Sequence, residues 1–371
     1  MTVFSENISV DPNLRSKKPS RIWAWLSAPA GLALIGAALG FGVSDAAKAQ
    51  ESRSARTLLA DAKGWTYQLQ GLDTGRAAVE AEDLLVIDYS RDGSAEGALR
   101  PAEVEALKLK ADGERRVVVS YLSIGEAESY RYYWQKGWSM VQAGAAGREA
   151  ADAQKSVTEC AADDDEGESA LLPAPSGAKV PGPNAPGWLH YENVQWKGNY
   201  YVRFWEPEWQ RIIFGTPTSY LDRIIDAGFD GVYLDRADVY GFWKGAHATS
   251  EDDMVDFIAE LSAYAKARNP DFLVILQNAE DLVRHEAVRD AIDSIAKEDL
   301  LFGIDHTETE NCSQEVAAST DYLKFAQAQG KPIFVVEYIN DPGKQEAARA
   351  RISELGFQAA FASRELDGFN Q

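Results

Sequence analysis

The stretch Gly228-Phe-Asp-Gly-Val-Tyr-Leu-Asp235-Arg-Ala-Asp238 decides the fold. Its apolar run, Val232 to Leu234, stops at the carboxylate of Asp235, and Asp238 follows three residues later. Ala227-Gly228 closes the helical pattern before it, because glycine takes most easily the left-handed conformation in which helices end. The stretch therefore predicts a helix, a tight turn, a buried strand, and carboxylates at the strand's carboxyl end. In alternating β/α folds that end is where ligands bind and chemistry occurs.

The same unit recurs in both directions. Strand-like runs are predicted over 65–72, 83–89, 117–124, 231–235, 272–277, 294–298, 333–338 and 357–362. Helical patterns separate them. One starts near Pro101 and ends at Asp112-Gly113. Another has Thr216 as its cap and Pro217 at its first position, with Tyr220, Leu221, Ile224 and Ile225 on its apolar face. A third is capped by Ser250, buries Met254, Phe257, Ile258, Leu261 and Tyr264, and ends at Asn269-Pro270. A fourth covers 313–329 before Gly330, and Asp341-Pro342 opens the last, which ends at Leu355-Gly356. Eight strands with helical crossovers, apolar on both faces, imply a closed parallel eight-stranded sheet, the (β/α)8 TIM barrel of the α/β class. A doubly wound open sheet needs a glycine-rich phosphate turn after its first strand, and Gly71-Leu-Asp-Thr-Gly75 lacks that spacing.

Residues 1–49 read differently. Arg15, Lys17, Lys18 and Arg21 precede an apolar run over 22–43, and Ala47-Lys48-Ala49 follows, the pattern of a secretory signal peptide. The run is also long enough, at about 20 residues, to be an N-terminal membrane anchor. A secreted or periplasmic working part is expected, membrane-bound if that segment is retained, with 50–64 as a linker and 65–371 as the catalytic barrel. The chain has 37 basic and 58 acidic residues, net −21. Five basic and three acidic residues lie in 1–49, which leaves 32 against 55, net −23, beyond them. Such acidity argues against nucleic acid as a partner, since phosphates need Lys and Arg. It suits a cationic substrate, or plain solubility.

The two cysteines, Cys160 and Cys312, form no zinc-type spacing, and the four histidines are scattered, so neither a metal nor a cofactor is expected. Between the third and fourth strands, 143–186 is rich in Ala, Gly, Pro and acid, with the run Asp163-Asp-Asp-Glu166. That composition predicts a low-complexity insertion over the catalytic face rather than a core. A disulfide between Cys160 and Cys312 would pin it, because both segments rise from the same face.

The strand ends carry the chemistry. They are Asp88-Tyr89, Tyr121-Leu-Ser-Ile-Gly-Glu126, Asp235 with Asp238, Gln277-Asn278-Ala-Glu280, Lys297-Glu298-Asp299 and Glu337-Tyr338. Carboxylates and amides converge there without a histidine, cysteine or serine nucleophile. Trp134, Trp138, Trp196, Trp205 and Trp243 fall in loops above or beside that face, and Arg203 sits in the aromatic stretch 200–209. Two carboxylates with aromatic platforms are what glycoside cleavage requires, one acid for the leaving oxygen and one nucleophile or base. The aromatic stretch also has a packing role, with part of it core.

In order along the chain, Val119-Ser-Tyr-Leu-Ser-Ile-Gly-Glu126-Ala-Glu128, Gly228-Phe-Asp-Gly-Val-Tyr-Leu-Asp235 and Ala296-Lys-Glu298-Asp-Leu-Leu-Phe302 resemble the glycoside hydrolases of family 114, endo-α-1,4-polygalactosaminidases. The resemblance spans about 65 to 363 and omits the insertion. It implies a (β/α)8 barrel that cleaves internal α-1,4 linkages of a cationic galactosamine polymer with retention. It also implies Asp235 as nucleophile and Glu298 as general acid/base. Asp88, Tyr121, Glu126, Arg203, Asp238, Asn278, Glu280, Glu337 and Tyr338 are then the candidate substrate contacts. Glu280 and Glu337 end neighbouring strands and stand as alternatives to Glu298. The competing functions are a non-catalytic carbohydrate-binding barrel and a glycosidase of other specificity.

Overall fold

The computed structural model describes residues 53–141, 169–304 and 306–368. The expected signal or anchor segment, most of the insertion and Cys160 lie outside the described residues. Eight parallel strands make one sheet in sequence order: β1 (Trp65–Gln68), β2 (Leu84–Ile87), β3 (Val117–Ser123), β4 (Gly231–Asp235), β5 (Leu273–Gln277), β6 (Ser294–Glu298), β7 (Ile333–Glu337) and β8 (Gln358–Phe361). At the seam the Trp65 indole N–H donates to the Gln358 carbonyl (3.2 Å), so the sheet is a nearly closed barrel. The α/β barrel read from the sequence is the fold found.

Strand parity sorts side chains into two cores. Tyr67, Val86, Val119, Tyr121, Tyr233, Ile275, Ala296 and Val336 fill the barrel interior. Leu85, Val118, Leu122, Val232, Leu234, Val274, Leu276, Ile295 and Val335 pack under the helices. Val232 and Leu234 are fully buried, and each such side chain contributes about 1.5–3 kcal/mol. Register fixes heights: Ser123 pairs with Asp235, and Glu298 with Val336.

Two glycines matter to the site. Gly228, at φ +85, ends the helix Tyr220–Asp226. Gly125 lets the turn after β3 approach the residue after Asp235, since a Cβ there would lie 2.1 Å from the Arg236 carbonyl oxygen.

Several local expectations are corrected. Residues 55–61 are not linker but the helix Ala55–Asp61, capped by Ser54, with Leu58 and Leu59 in the interior cluster. Seven residues with two leucines carry too little periodicity to announce a helix. The helix expected from Pro217 starts at Tyr220, because Ser219 N–H closes a turn onto the Thr216 carbonyl (3.0 Å). The helix Pro101–Leu107 stops short of Asp112, and Ser250–Arg268 takes Thr249, not Ser250, as its cap.

Between β3 and β4 the described part of the insertion is packed. The strand Lys179–Pro181 pairs antiparallel with Ser139–Val141. Strands Glu126–Glu128, Asn199–Val202 and Leu189–Glu192 form a small sheet in that order at the end of β3. Beneath it Trp134, Trp138, Trp188 and Trp209 pack ring to ring, at 5.4, 5.2 and 4.9 Å between successive centroids. The Trp209 indole donates to the Ile124 carbonyl (2.8 Å), tying this cluster to the barrel.

Candidate active site

The carboxyl ends of the strands open into a cavity of about 840 Å³. Asp235 and Glu298, two strands apart, both line it and both are half-buried. Parity explains why: Tyr233 and Ala296, two residues before each, point into the barrel, so Asp235 and Glu298 do too. The Tyr121 hydroxyl donates to Asp235 Oδ2 (2.7 Å), and the Arg236 backbone N–H donates to Oδ1 (2.7 Å). The Tyr338 hydroxyl donates to Glu298 Oε1. Asn278 grips Glu298 twice, its Nδ2 donating to Oε2 (3.2 Å) and its Oδ1 accepting the Glu298 N–H (3.1 Å).

Burial, and then the charge of Glu298, push Asp235 up to about 8. A nucleophile has to be ionised, and this upward push on Asp235 opposes that.

Other predicted residues separate into those at the cavity and those away from it. Asp88, Tyr121, Glu126, Asn278 and Tyr338 line it. Asp88 is paired with Arg131 (2.7 Å), which also holds Glu128 (2.7 Å), and all three are buried. Glu126 accepts from Asn193 Nδ2 (3.0 Å) and pairs with Arg236 Nε (3.1 Å).

Four candidates lie away from the cavity lining. Arg203 donates to the Gly187 carbonyl (2.6 Å) and stacks on Trp243, tying the small sheet together. Asp238 is exposed on the one-turn helix Ala237–Val239. Glu280 is bound by Lys297 (3.0 Å) and Ser319; burial alone would raise it, but those two hold its carboxyl below the usual range. Glu337 is fully buried beside the helices and accepts the N–H groups of Leu301 (2.8 Å) and Phe302 (3.2 Å). Its neighbour Val336 points inward, so Glu337 has the wrong parity for the cavity. Glu280 and Glu337 are thus structural partners, which leaves Glu298 as the carboxylate facing Asp235.

The tryptophans read as platforms are mostly core: Trp134 and Trp138 lie in the aromatic cluster, Trp243 is buried, and Trp205 stacks on His247 at 3.9 Å. Trp196 lines the cavity and is exposed, as is Tyr130. Sequence reasoning missed Arg131, Glu128, Arg236 and Arg364, and named Gln277 only as a strand end. The i, i+3 pairing of Glu128 with Arg131 was a visible signal; the bidentate bond of Arg364 to Asp299 (2.9 and 3.0 Å) was not. Besides the pair, Asp88, Asp92, Glu126, Glu128 and Glu365 line the cavity against Arg91, Lys197, Arg236 and Arg364, so its walls are net acidic. Among the described residues no cluster has metal-binding composition.

The model of glycoside-hydrolase family GH114 matches residues 178–371. The chain belongs to glycoside-hydrolase family GH114. It is 32% identical to an uncharacterized protein of Methanocaldococcus jannaschii, over 82% of this chain and 78% of that one. A Thermotoga maritima protein, also uncharacterized, is 31% identical over 75% and 71% of the two chains. The glycoside hydrolase domain of PelA from Pseudomonas aeruginosa has the same fold, with a TM-score of 0.53 and 17% identity, covering 83% of this chain and 97% of that domain. In this GH114 hydrolase the carboxyl ends of the strands open into that acidic cavity.

Proposed function

We propose that the protein cleaves internal α-1,4 linkages of a cationic, galactosamine-rich polysaccharide, with Asp235 as nucleophile and Glu298 as general acid/base. The observation that carries this is the facing pair itself: two carboxylates from alternate strands, each held by a tyrosine hydroxyl, in one acidic cavity. Glu298 protonates the glycosidic oxygen while Asp235 attacks the anomeric carbon, and Glu298 then activates the water that releases the sugar. A bound ammonium sugar supplies the charge that ionises Asp235. Positive charge beside Asp235 favours its ionised form.

The walls suit the same substrate. Asp88 and Glu128 share Arg131 and Glu126 is paired with Arg236, so these three carboxylates meet two cations, and with Asp92, Glu365 and the pair the cavity keeps an excess of acid. The exposed ring of Trp196 at the cavity offers a surface for a sugar ring. Delivery outside the cytoplasm belongs to this reading and is carried by the basic, apolar and Ala-x-Ala order of residues 15–49. Incubation with defined α-1,4-galactosamine oligomers, with products sized by mass and their anomer followed by NMR, tests the activity. Mid-chain products retaining the α configuration are expected; terminal monosaccharide release or an inverted product would refute the endo or the retaining part respectively.

A further inference from the structure

Strands β4, β5 and β6 each carry a cavity-lining side chain at the carboxyl end: Asp235, Gln277 and Glu298. The next residue on each, Arg236, Asn278 and Asp299, has a left-handed backbone, at φ 61, 52 and 50. Such conformations are uncommon outside glycine and persist where the surrounding structure enforces them, often at functional sites. Asp235 and Glu298 have their partners. Gln277 differs: it is 1% exposed, and its Oε1 has no hydrogen-bond partner among the described residues. A buried amide oxygen left unpaired weakens the empty fold. The adjacent Asn278 shows the same group in use, clamped to Glu298.

We propose that Gln277 contacts substrate, its amide oxygen accepting a hydrogen bond from the amino group beside the anomeric carbon, and that it thereby selects amino sugars. This rests on the galactosamine reading above. Cleavage puts the anomeric carbon between the carboxyls of Asp235 and Glu298. A side chain from the strand between them meets the ring substituents nearest that carbon. In galactosamine one of these is a protonated amine, which donates and cannot accept. An amide oxygen receives it without adding a third negative charge beside two carboxylates that already repel each other. The terminal torsion of glutamine is soft, so either end of the amide can be turned to the ligand. A hydrogen bond from an ammonium is charge-assisted and stronger than one from the hydroxyl at the same carbon of galactose.

The test measures binding of galactosamine and of galactose to the wild-type chain, to Gln277→Met and to Gln277→Glu, together with thermal melting. Wild type is expected to favour galactosamine by about 10- to 100-fold, the value of one charge-assisted hydrogen bond. Gln277→Met loses most of that preference with an unchanged or higher Tm, since it removes an unpaired polar group, whereas Gln277→Glu keeps an acceptor and keeps the preference. Equal binding of the two sugars by wild type overturns the proposal. So does a Met variant that retains the preference, or one whose loss of preference comes with a lowered Tm. Hydrolysis of galactosamine oligomers by wild type is read separately: its absence defeats the substrate assignment, while a preference abolished only in Gln277→Met still upholds the contact.

Discussion

At the residue scale, the two carboxylates differ in what holds them, and this sets their expected behaviour. On the proposed mechanism Asp235→Asn removes the nucleophile and Glu298→Gln the proton donor. Each is expected to lower kcat by about 10²–10⁴-fold or more on galactosamine oligomers, with melting temperatures close to wild type; full turnover by Asp235→Asn would overturn the assignment. The pH profile of kcat/KM reports the unliganded enzyme. Because Asp235 is pushed up to about 8, its proton is lost as pH rises through that value. The acidic limb, on which the nucleophile ionises, is therefore expected at about 8, and a limb in the ordinary carboxylate range would contradict the upward push. The Tyr121 hydroxyl stabilises the Asp235 anion. Tyr121→Phe should move the acidic limb upward and slow turnover, which a pH–rate series on the variant checks.

At the element scale, parity along the strands separates chemistry from architecture. On β6 Glu298 points into the barrel, while Glu337, the last residue of β7, points away and binds the chain segment that follows Glu298 through Leu301 and Phe302. Burial pushes Glu337 up to about 8, against about 4.3 in an unfolded chain. The folded state therefore binds more protons than the unfolded one between those values, so stability is greatest at the acidic end and falls as pH rises through the window. Asp235 acts in the same direction. Glu337→Gln keeps an acceptor and cannot ionise, so its Tm should decline less than that of wild type from about pH 5 to 8. Parallel melting curves for the two proteins across that range would contradict this account. The small sheet after β3 has a comparable division: its aromatic underside packs, while its turn presents Trp196 at the cavity.

At the scale of the whole molecule, net charge becomes a statement about substrate. The cavity walls share the acidity of the chain, so the cationic polymer proposed as substrate would be drawn both to the protein and to its site. Added salt screens charges beyond about 10 Å at 0.1 M. KM for deacetylated galactosamine polymer should rise with ionic strength while kcat changes little, because the buried pair is screened least. A KM insensitive to salt would remove the electrostatic part of the reading.

The sequence by itself determined the alternation of eight strands, the barrel it implies, and the carboxylates where β4 and β6 stop. Those follow from local pattern: apolar runs of strand length, glycine at helix ends, and an abrupt change to acid. It could not say which of Glu280, Glu298 and Glu337 faces Asp235. Strands buried on both faces show no alternation of apolar and polar residues, so parity is silent until the strands are paired. Nor could it show Arg131 between Asp88 and Glu128, Arg364 on Asp299, or Gln277 without a partner. Those are contacts between segments distant in the chain, and only closure of the barrel brings them together.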